Sequence, residues 1–502
     1  MDIVTALWFL IMRKKTNIST ILIQKAVKKT RPTASLKSSS TVTQGPVSTA
    51  PHEAGQVTKT RTPKQLQSLR GMRDILPSEQ SYWQFLKEKC LRLSEEYGFE
   101  RIDVPVLEAA SLFERAIGKV TDIVEKEMFT FPDRGGDSVT LRPEFTAGAA
   151  RAYLEHGFMN QPQPVKWYYE GSVYRYQRPQ YGRQREFHQW GFEIFGDAHP
   201  VIDASLMMLA ANLYADLGLP VTLQLNSVGD VVCRAAYEKV LLDYYRSHRR
   251  DLCEDCIQRT HRNPLRLLDC KQEQCQPIKA EAPQFVDHLC EACRDHLMKI
   301  LEYLDELDIS YVLNPYLVRG LDYYTRTVFE VWSQDDEMGR TALAGGGRYD
   351  RLLETLGGRP TPACGLSIGM EVAIIKMKES NIEVPVPSRP AVFIAQLGEP
   401  AKRKAIRLFE ELRRSGVKVA ASFSKDGLKA QMDAADKLGV RYAVILGQKE
   451  IMDGTIIIRD MEAGIQEIYD FKKIIPEIHK KLEVKSVVHQ KAADYISDKQ
   501  AD

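Results

Sequence analysis

The stretch "YYEGSVYRYQRPQYGRQREFHQWGFEIFG", residues 168–196, decides how this chain is read. Both ends alternate and are rich in aromatic and β-branched residues, which predicts two strands. They enclose a loop that carries Arg175, Arg178, Arg183 and Arg185, with Gln180 among them. On the returning strand Phe187, Gln189, Gly191 and Glu193 share one face, because side chains alternate across a strand. Gln189 and Glu193 on either side of a glycine suit a pocket floor better than a solvent face. Guanidinium groups grip phosphate oxygens through two parallel hydrogen bonds, so the loop suits phosphate and base contacts. A solvated loop is the plainer alternative.

Working outward, strand-like runs occur at 167–175, 187–195, 221–226 and 326–332, after a helical run from Gln80 to Tyr97. Their alternation with helices is irregular, which predicts an α+β domain on an antiparallel sheet rather than a wound βαβ domain. Residues 67–229 and 313–380 make up this domain, closed by a helix from Gly369 to Ser380. Residues 230–312 interrupt it as a helical, charged, Cys-bearing insertion. "NIEVPVPSRP" (381–390) holds three prolines in six residues and reads as a stiff linker. Beyond it, 391–485 alternates strands and helices at βαβ spacing and predicts a small α/β domain. Residues 1–66 and 486–502 are tails.

The chain has 502 residues and a net charge of +2, so contact with nucleic acid must come from a local basic patch. Its longest apolar run, "IVTALWFLIM" (3–12), is too short to span a bilayer. From Ile3 to His52 there is no acidic residue, which fits a disordered tail, an organelle transit peptide, or a start at Met12. Six of the nine cysteines fall between Cys253 and Cys293. "LCEDC" (252–256) and "LCEAC" (289–293) are two CxxC pairs that suit one tetrahedral Zn²⁺, with Cys270 and Cys275 as a competing pair. Unliganded thiols are the alternative.

Three further clusters carry more polar groups than a bare fold needs. In "TLRPEFTAGAARAYLEHG" (140–157), Glu144 and Thr146 stand before a helix, where they can accept from an ammonium group. Alternatively Thr146 is an ordinary cap serving Ala147 and Ala149. "YLVRGLDYYTRTVFEV" (316–331) sets Arg319, Asp322, Tyr323 and Tyr324 beside a glycine, at the start of a strand. In "ALAGGGRYDRLLETLGG" (342–358), three glycines before Arg348 let backbone approach a ligand closely.

Together these clusters resemble the class II aminoacyl-tRNA synthetases, and within them the histidyl-tRNA synthetase family, over residues 69–480. "GFERIDVPVLE" (98–108) looks like the first class motif, with Pro105 at the dimer interface. "VYRYQRPQYGRQREFHQ" looks like the second, and "CGLSIGMEV" (364–372) stands where the third belongs. "RPEFTAG" and "LVRGLDYY" are characteristic of the histidine family, and "GLKAQMDAADKLG" (427–439) resembles its anticodon-binding domain. The resemblance implies ATP-dependent attachment of L-histidine to tRNA(His) through a histidyl-adenylate, by a cytoplasmic homodimer with no membrane contact, using ATP with Mg²⁺. It gives Arg175 and Arg319 to the α-phosphate, Arg319 also reaching the substrate carboxylate. Glu144, Phe145, Thr146 and Gln189 line the site for the amino and carboxylate groups, with Glu193 nearby. Tyr323 and Tyr324 line the imidazole pocket, and Arg178 and Gln180 read the acceptor end of tRNA.

Two positions depart from the pattern. Val372 stands where the third motif usually ends in an arginine for the γ-phosphate, and Gln177 where the second motif often carries an acid. The expectation is an active enzyme with weakened ATP use, partly compensated by Lys376 four residues on. The alternatives are a weakened or inactive paralogue acting in regulation or tRNA binding, and another class II synthetase. A regulatory subunit of histidine biosynthesis has no use for the α/β domain after Pro390, and "RGLDYY" separates the histidine family from its class.

Overall fold

The computed structural model describes residues 65–335, 342–386 and 388–483. The readings made for the basic tail at 1–64 and for 484–502 lie outside these residues. The chain enters through helix α1 (Gln80–Glu96) and strand β1 (Glu100–Arg101). A small antiparallel sheet follows, of Leu107–Ala109 (β2), Phe129–Pro132 (β3) and Ser138–Leu141 (β4). Helix α2 (Thr146–Glu155) leads into the long hairpin of β5 (Val165–Tyr174) and β6 (Glu186–Phe195). Helix α3 (Pro200–Asp216) and β7 (Val221–Ser227) precede the insertion, whose main helices are α4 (Val231–Ser247) and α5 (Glu291–Glu306). The chain returns through β8 (Tyr311–Leu313), β9 (Thr325–Ser333), β10 (Ala344–Arg348), β11 (Ala363–Gly369) and helix α6 (Met370–Glu379).

Eight of these strands form one sheet in the order β1-β5-β6-β11-β10-β9-β7-β8. Its inner pairs are all antiparallel, as the irregular alternation predicts, while β1 on β5 and β8 on β7 add parallel edges. Alternation along β6 divides the sheet's work. Trp190, Phe192 and Ile194 point into a core with Trp83, Leu86, Leu206, Leu209 and Leu213 from α1 and α3. Burying each such side chain stabilises the fold by roughly 1.5–3 kcal/mol. The residues between them are left for the opposite face, where the pocket lies.

Glycines make that face possible. A Cβ on Gly191 would strike the Tyr169 ring, and one on Gly365 would strike the Glu193 carboxylate. The run at 345–347 departs from its expected use. It is the central strand β10, and what approaches it is protein: a Cβ on Gly345 would meet the Arg319 guanidinium. Arg348 likewise serves the fold. It is fully buried, paired with Asp203 of α3 and bonded to Asp350 at 3.1 Å. Leaving such a buried charge without its partner costs about 3–5 kcal/mol.

After the linker, β12 (Val392–Gln396), β13 (Val419–Ala421), β14 (Tyr442–Leu446), β15 (Thr455–Asp460) and β16 (Gln466–Asp470) form a second sheet ordered β13-β12-β14-β15-β16. Its first three strands are parallel, with helices Glu399–Arg414 and Leu428–Leu438 as crossovers. This is the βαβ spacing read from the sequence.

Candidate active site

The site lies on the pocket face of β5 and β6, beneath the start of α2 and the turn before β9. Glu144 holds the helix start: its carboxylate accepts the amides of Thr146 (2.7 Å) and Ala147 (2.8 Å). A carboxylate there satisfies orphan donors and meets the positive helix end, worth about 1 kcal/mol. The cap expected of Thr146 is therefore made by Glu144. Thr146 instead donates its hydroxyl to Glu193 at 2.6 Å. Phe145 stacks on Tyr169 with ring centroids 4.2 Å apart and lies under the Arg142 guanidinium. It shapes the wall and brings no polar contact.

Glu193 is the hub. Only 1% exposed, it accepts hydrogen bonds from Thr146, from Tyr169 at 2.8 Å and from Tyr349. Burial pushes its carboxyl up to about 8, against those donors, and nearby Glu144 adds to the rise. Tyr323 and Tyr324 are buried, with ring centroids 4.8 Å apart, and Tyr349 meets Tyr323 edge-on at 5.5 Å. Burial raises the Tyr323 hydroxyl well above its usual range, and the charges of Glu144 and Glu193 contribute. Gln189 is half-buried on the same strand face, paired with Gly171 and Gly369 of the neighbouring strands. Asp322 accepts from Asn263 of the insertion at 2.9 Å.

The arginines of the β5–β6 loop divide into two groups. Arg175 points inward, its Nε donating to the carbonyl of Pro143 at 2.8 Å. Burial lowers its pKa, Glu127 and Glu144 work the other way, and Arg319 lowers it further. The two guanidinium groups thus feel one another's charge. Arg319 donates to Glu330 at 2.5 Å; burial opposes its charge, but Tyr324 and Glu330 hold the pKa above the ordinary arginine value. Arg185 stacks on the Tyr176 ring at 3.7 Å. Arg178, Gln180 and Arg183 are exposed at the loop tip, where Gln180 and Arg183 exchange backbone hydrogen bonds across Tyr181 and Gly182.

Sequence reasoning missed four contributors. Glu127 accepts from Gln177 at 2.8 Å, so an acid does stand at the position where Gln177 departs from the motif, brought from another segment. Tyr169 and Tyr349 lay inside quoted stretches, but only the fold aims them at Glu193. Glu330 is the counter-charge to Arg319. Val372 is 9% exposed and packs in the apolar core with Met370 and Ile374, while Lys376, one turn on, is half-buried.

The cysteines sort differently from the expected CxxC–CxxC pairing. Cys253, Cys256, Cys270 and Cys275 converge, with all four sulfurs within 4.8 Å of one another. Cys290 and Cys293 instead meet Cys233 and Asp230, outside that group. Each set can hold a metal ion.

An antiparallel sheet with two arginines on the loops beside a polar, tyrosine-lined pocket, followed in the chain by a separate α/β domain, defines a class II aminoacyl-tRNA synthetase. Residues 71–373 match the histidyl-tRNA synthetase family, and 391–481 match the anticodon-binding domain. The histidine–tRNA ligase of Pelotomaculum thermopropionicum is 46% identical over 414 residues, which cover 82% of this chain and 97% of that one. That of Dehalococcoides mccartyi is 45% identical over 417 residues, covering 83% and 100%. The solved apo histidyl-tRNA synthetase of S. aureus superposes with a TM-score of 0.69 at 33% identity, over 82% of this chain and 99% of that one. A Bacillus halodurans structure described as an ATP phosphoribosyltransferase regulatory subunit/histidyl-tRNA synthetase shares the fold at 22% identity and a TM-score of 0.56. The chain belongs to the histidyl-tRNA synthetase family, and histidine–tRNA ligation is its function.

Proposed function

We propose that this pocket makes the histidyl-adenylate and passes histidine to tRNA(His), with a division of labour among named residues. Joining a carboxylate to the α-phosphate of ATP brings two anions together, so the barrier is repulsion and positioning. The observation that carries the reading is the pair Arg175, tethered at the Pro143 carbonyl next to Glu144, and Arg319, paired with Glu330 and lying 5.8 Å over the Tyr324 ring: two cations preorganised among the carboxylates and tyrosines of the site. Arg175 holds the α-phosphate; Arg319 leaves Glu330 to bridge phosphate and substrate carboxylate. The free oxygen lone pairs of Glu144, with Thr146 and Gln189, take the amino and carboxylate groups. Glu193 and the tyrosines meet the imidazole, which offers one donor and one acceptor at fixed places. A polar pocket of this kind rejects analogues that lack them.

Arg178 and Gln180 at the exposed loop tip contact the acceptor end of tRNA(His), and the β12–β16 domain takes the anticodon. Mg²⁺ enters with the phosphates of ATP, and Glu127 and Glu330 are the carboxylates that flank the two arginines there. The four convergent cysteines of the insertion suit a structural Zn²⁺. Zn–S bonds of about 2.3 Å at tetrahedral angles set sulfurs about 3.8 Å apart, and Cys253 and Cys270 stand 3.8 Å apart. No helix of the described residues is long and apolar enough to cross a membrane. The working form is a cytoplasmic homodimer, joined through the segment around Pro105. Purified protein should charge tRNA(His) with histidine and sediment as a dimer. Tight binding of ATP and histidine without any charging would support the inactive paralogue.

A further inference from the structure

Cys233 is not part of any CxxC pair, and nothing in its local sequence marks it. It lies in the first turn of α4, where Asp230 caps the helix by accepting the Cys233 amide at 2.8 Å. The insertion's last helix, α5, brings Cys290 and Cys293 back to this point. The four ligand atoms, three sulfurs and a carboxylate oxygen, lie within 4.8 Å of one another. The Cys290 amide donates to the Cys233 sulfur at 3.2 Å, as the Cys253 amide donates to Cys275 at 3.3 Å in the four-cysteine group. An amide aimed at a sulfur stabilises a thiolate, which is the ligand form. Such partners around the ligands also fix their orientation.

We propose that Asp230, Cys233, Cys290 and Cys293 form a second, separate site for a thiophilic divalent cation of the zinc type. It ties the end of the insertion to its beginning. Three thiolates with one carboxylate satisfy tetrahedral coordination and leave no open position, so the ion is structural. Its position also gives it a route to the pocket. Arg234, next to Cys233, donates to the backbone carbonyls of Asp322 (3.1 Å) and Tyr324 (2.8 Å). Gly229, next to Asp230, accepts the amide of Arg326 at 2.7 Å. The metal-held turn therefore braces both ends of the segment that carries Tyr323 and Tyr324. This last step rests on the assignment of those tyrosines to the histidine pocket.

Full-length protein purified without chelator should contain two zinc ions per chain. X-ray absorption at the zinc edge should find seven sulfurs and one oxygen shared between the two. Cys233→Ser and Cys290→Ser should each lower the content to one ion, and so should Cys270→Ser at the other site. In titrations with histidine alone, Cys233→Ser should weaken affinity several-fold while Cys270→Ser does not. One ion per chain that survives Cys233→Ser and is lost in Cys270→Ser would overturn the second site and leave the first standing. A metal-free wild type, or a disulfide among these cysteines in peptide mapping, would overturn it too. Two ions with unchanged histidine affinity in Cys233→Ser would remove the link to the pocket.

Discussion

At the residue scale, charge placement decides the chemistry. Arg319 is held by Glu330 and fitted against Gly345, so it waits in position rather than being recruited. Removing a preorganised donor of this kind costs about 100-fold or more in the chemical step. Arg319→Ala should therefore nearly abolish single-turnover adenylate formation while its melting transition stays cooperative. A rate within tenfold of wild type would take Arg319 out of the mechanism. Glu193 makes a prediction about pH. Its carboxyl titrates near 8 in the fold against an ordinary value of 4.5, so between these pH values the folded chain keeps a proton that the unfolded chain has released. Stability drawn from this group is complete below pH 4.5 and is lost as pH rises toward 8. Glu193→Gln removes that loss, so the mutant's melting temperature should gain on wild type across the window. Parallel curves would show that Glu193 ionises normally. Single residues were readable from sequence as candidates where polar groups crowd one segment, as in "LVRGLDYY". Such reading failed for Glu127, whose partner Gln177 is 50 residues away, because no local pattern announces a tertiary contact.

At the element scale, the β5–β6 hairpin was legible because alternation, an arginine loop and a turn glycine all agree within 29 residues. The glycine run of β10 was not, since glycines signal turns locally and only the packed sheet shows that they clear space for Arg319. The cysteine pairing stayed open for a related reason: CxxC spacing fixes pairs, but the fold chooses which pairs meet, here Cys253 and Cys256 with the competing Cys270 and Cys275. The hairpin divides its arginines between the pocket and the exposed tip, and the two assays should divide likewise. Changing Arg178 and Gln180 together to alanine should weaken tRNA charging and spare ATP–pyrophosphate exchange. Equal losses in both assays would assign the tip to ATP. In the first turn of helix α6, Glu371 accepts the His188 amide at 2.9 Å and so locks the third-motif segment to β6. Next to it, Val372 faces the core and supplies no charge to the nucleotide. A charge-assisted hydrogen bond is worth roughly 1.5–3 kcal/mol, so ATP use should be weakened about ten- to hundredfold. Lys376→Ala should then raise the KM for ATP several-fold, and an unchanged KM would show that Lys376 compensates for nothing.

At the scale of the whole molecule, a sheet with two working faces explains why fold and function were legible together. One face of β6 needs large apolar residues for the core, and the other needs glycines and carboxylates for the pocket, so a single strand records both demands. Domain order was readable because the proline-rich linker and the change from irregular to βαβ spacing are local signals. This pocket should activate histidine despite Val372 and Gln177. ATP–pyrophosphate exchange by the purified chain, run with each of the twenty amino acids, tests it most directly. Exchange should depend on histidine alone, with a raised KM for ATP. Exchange driven by another amino acid, or none with any, would contradict it.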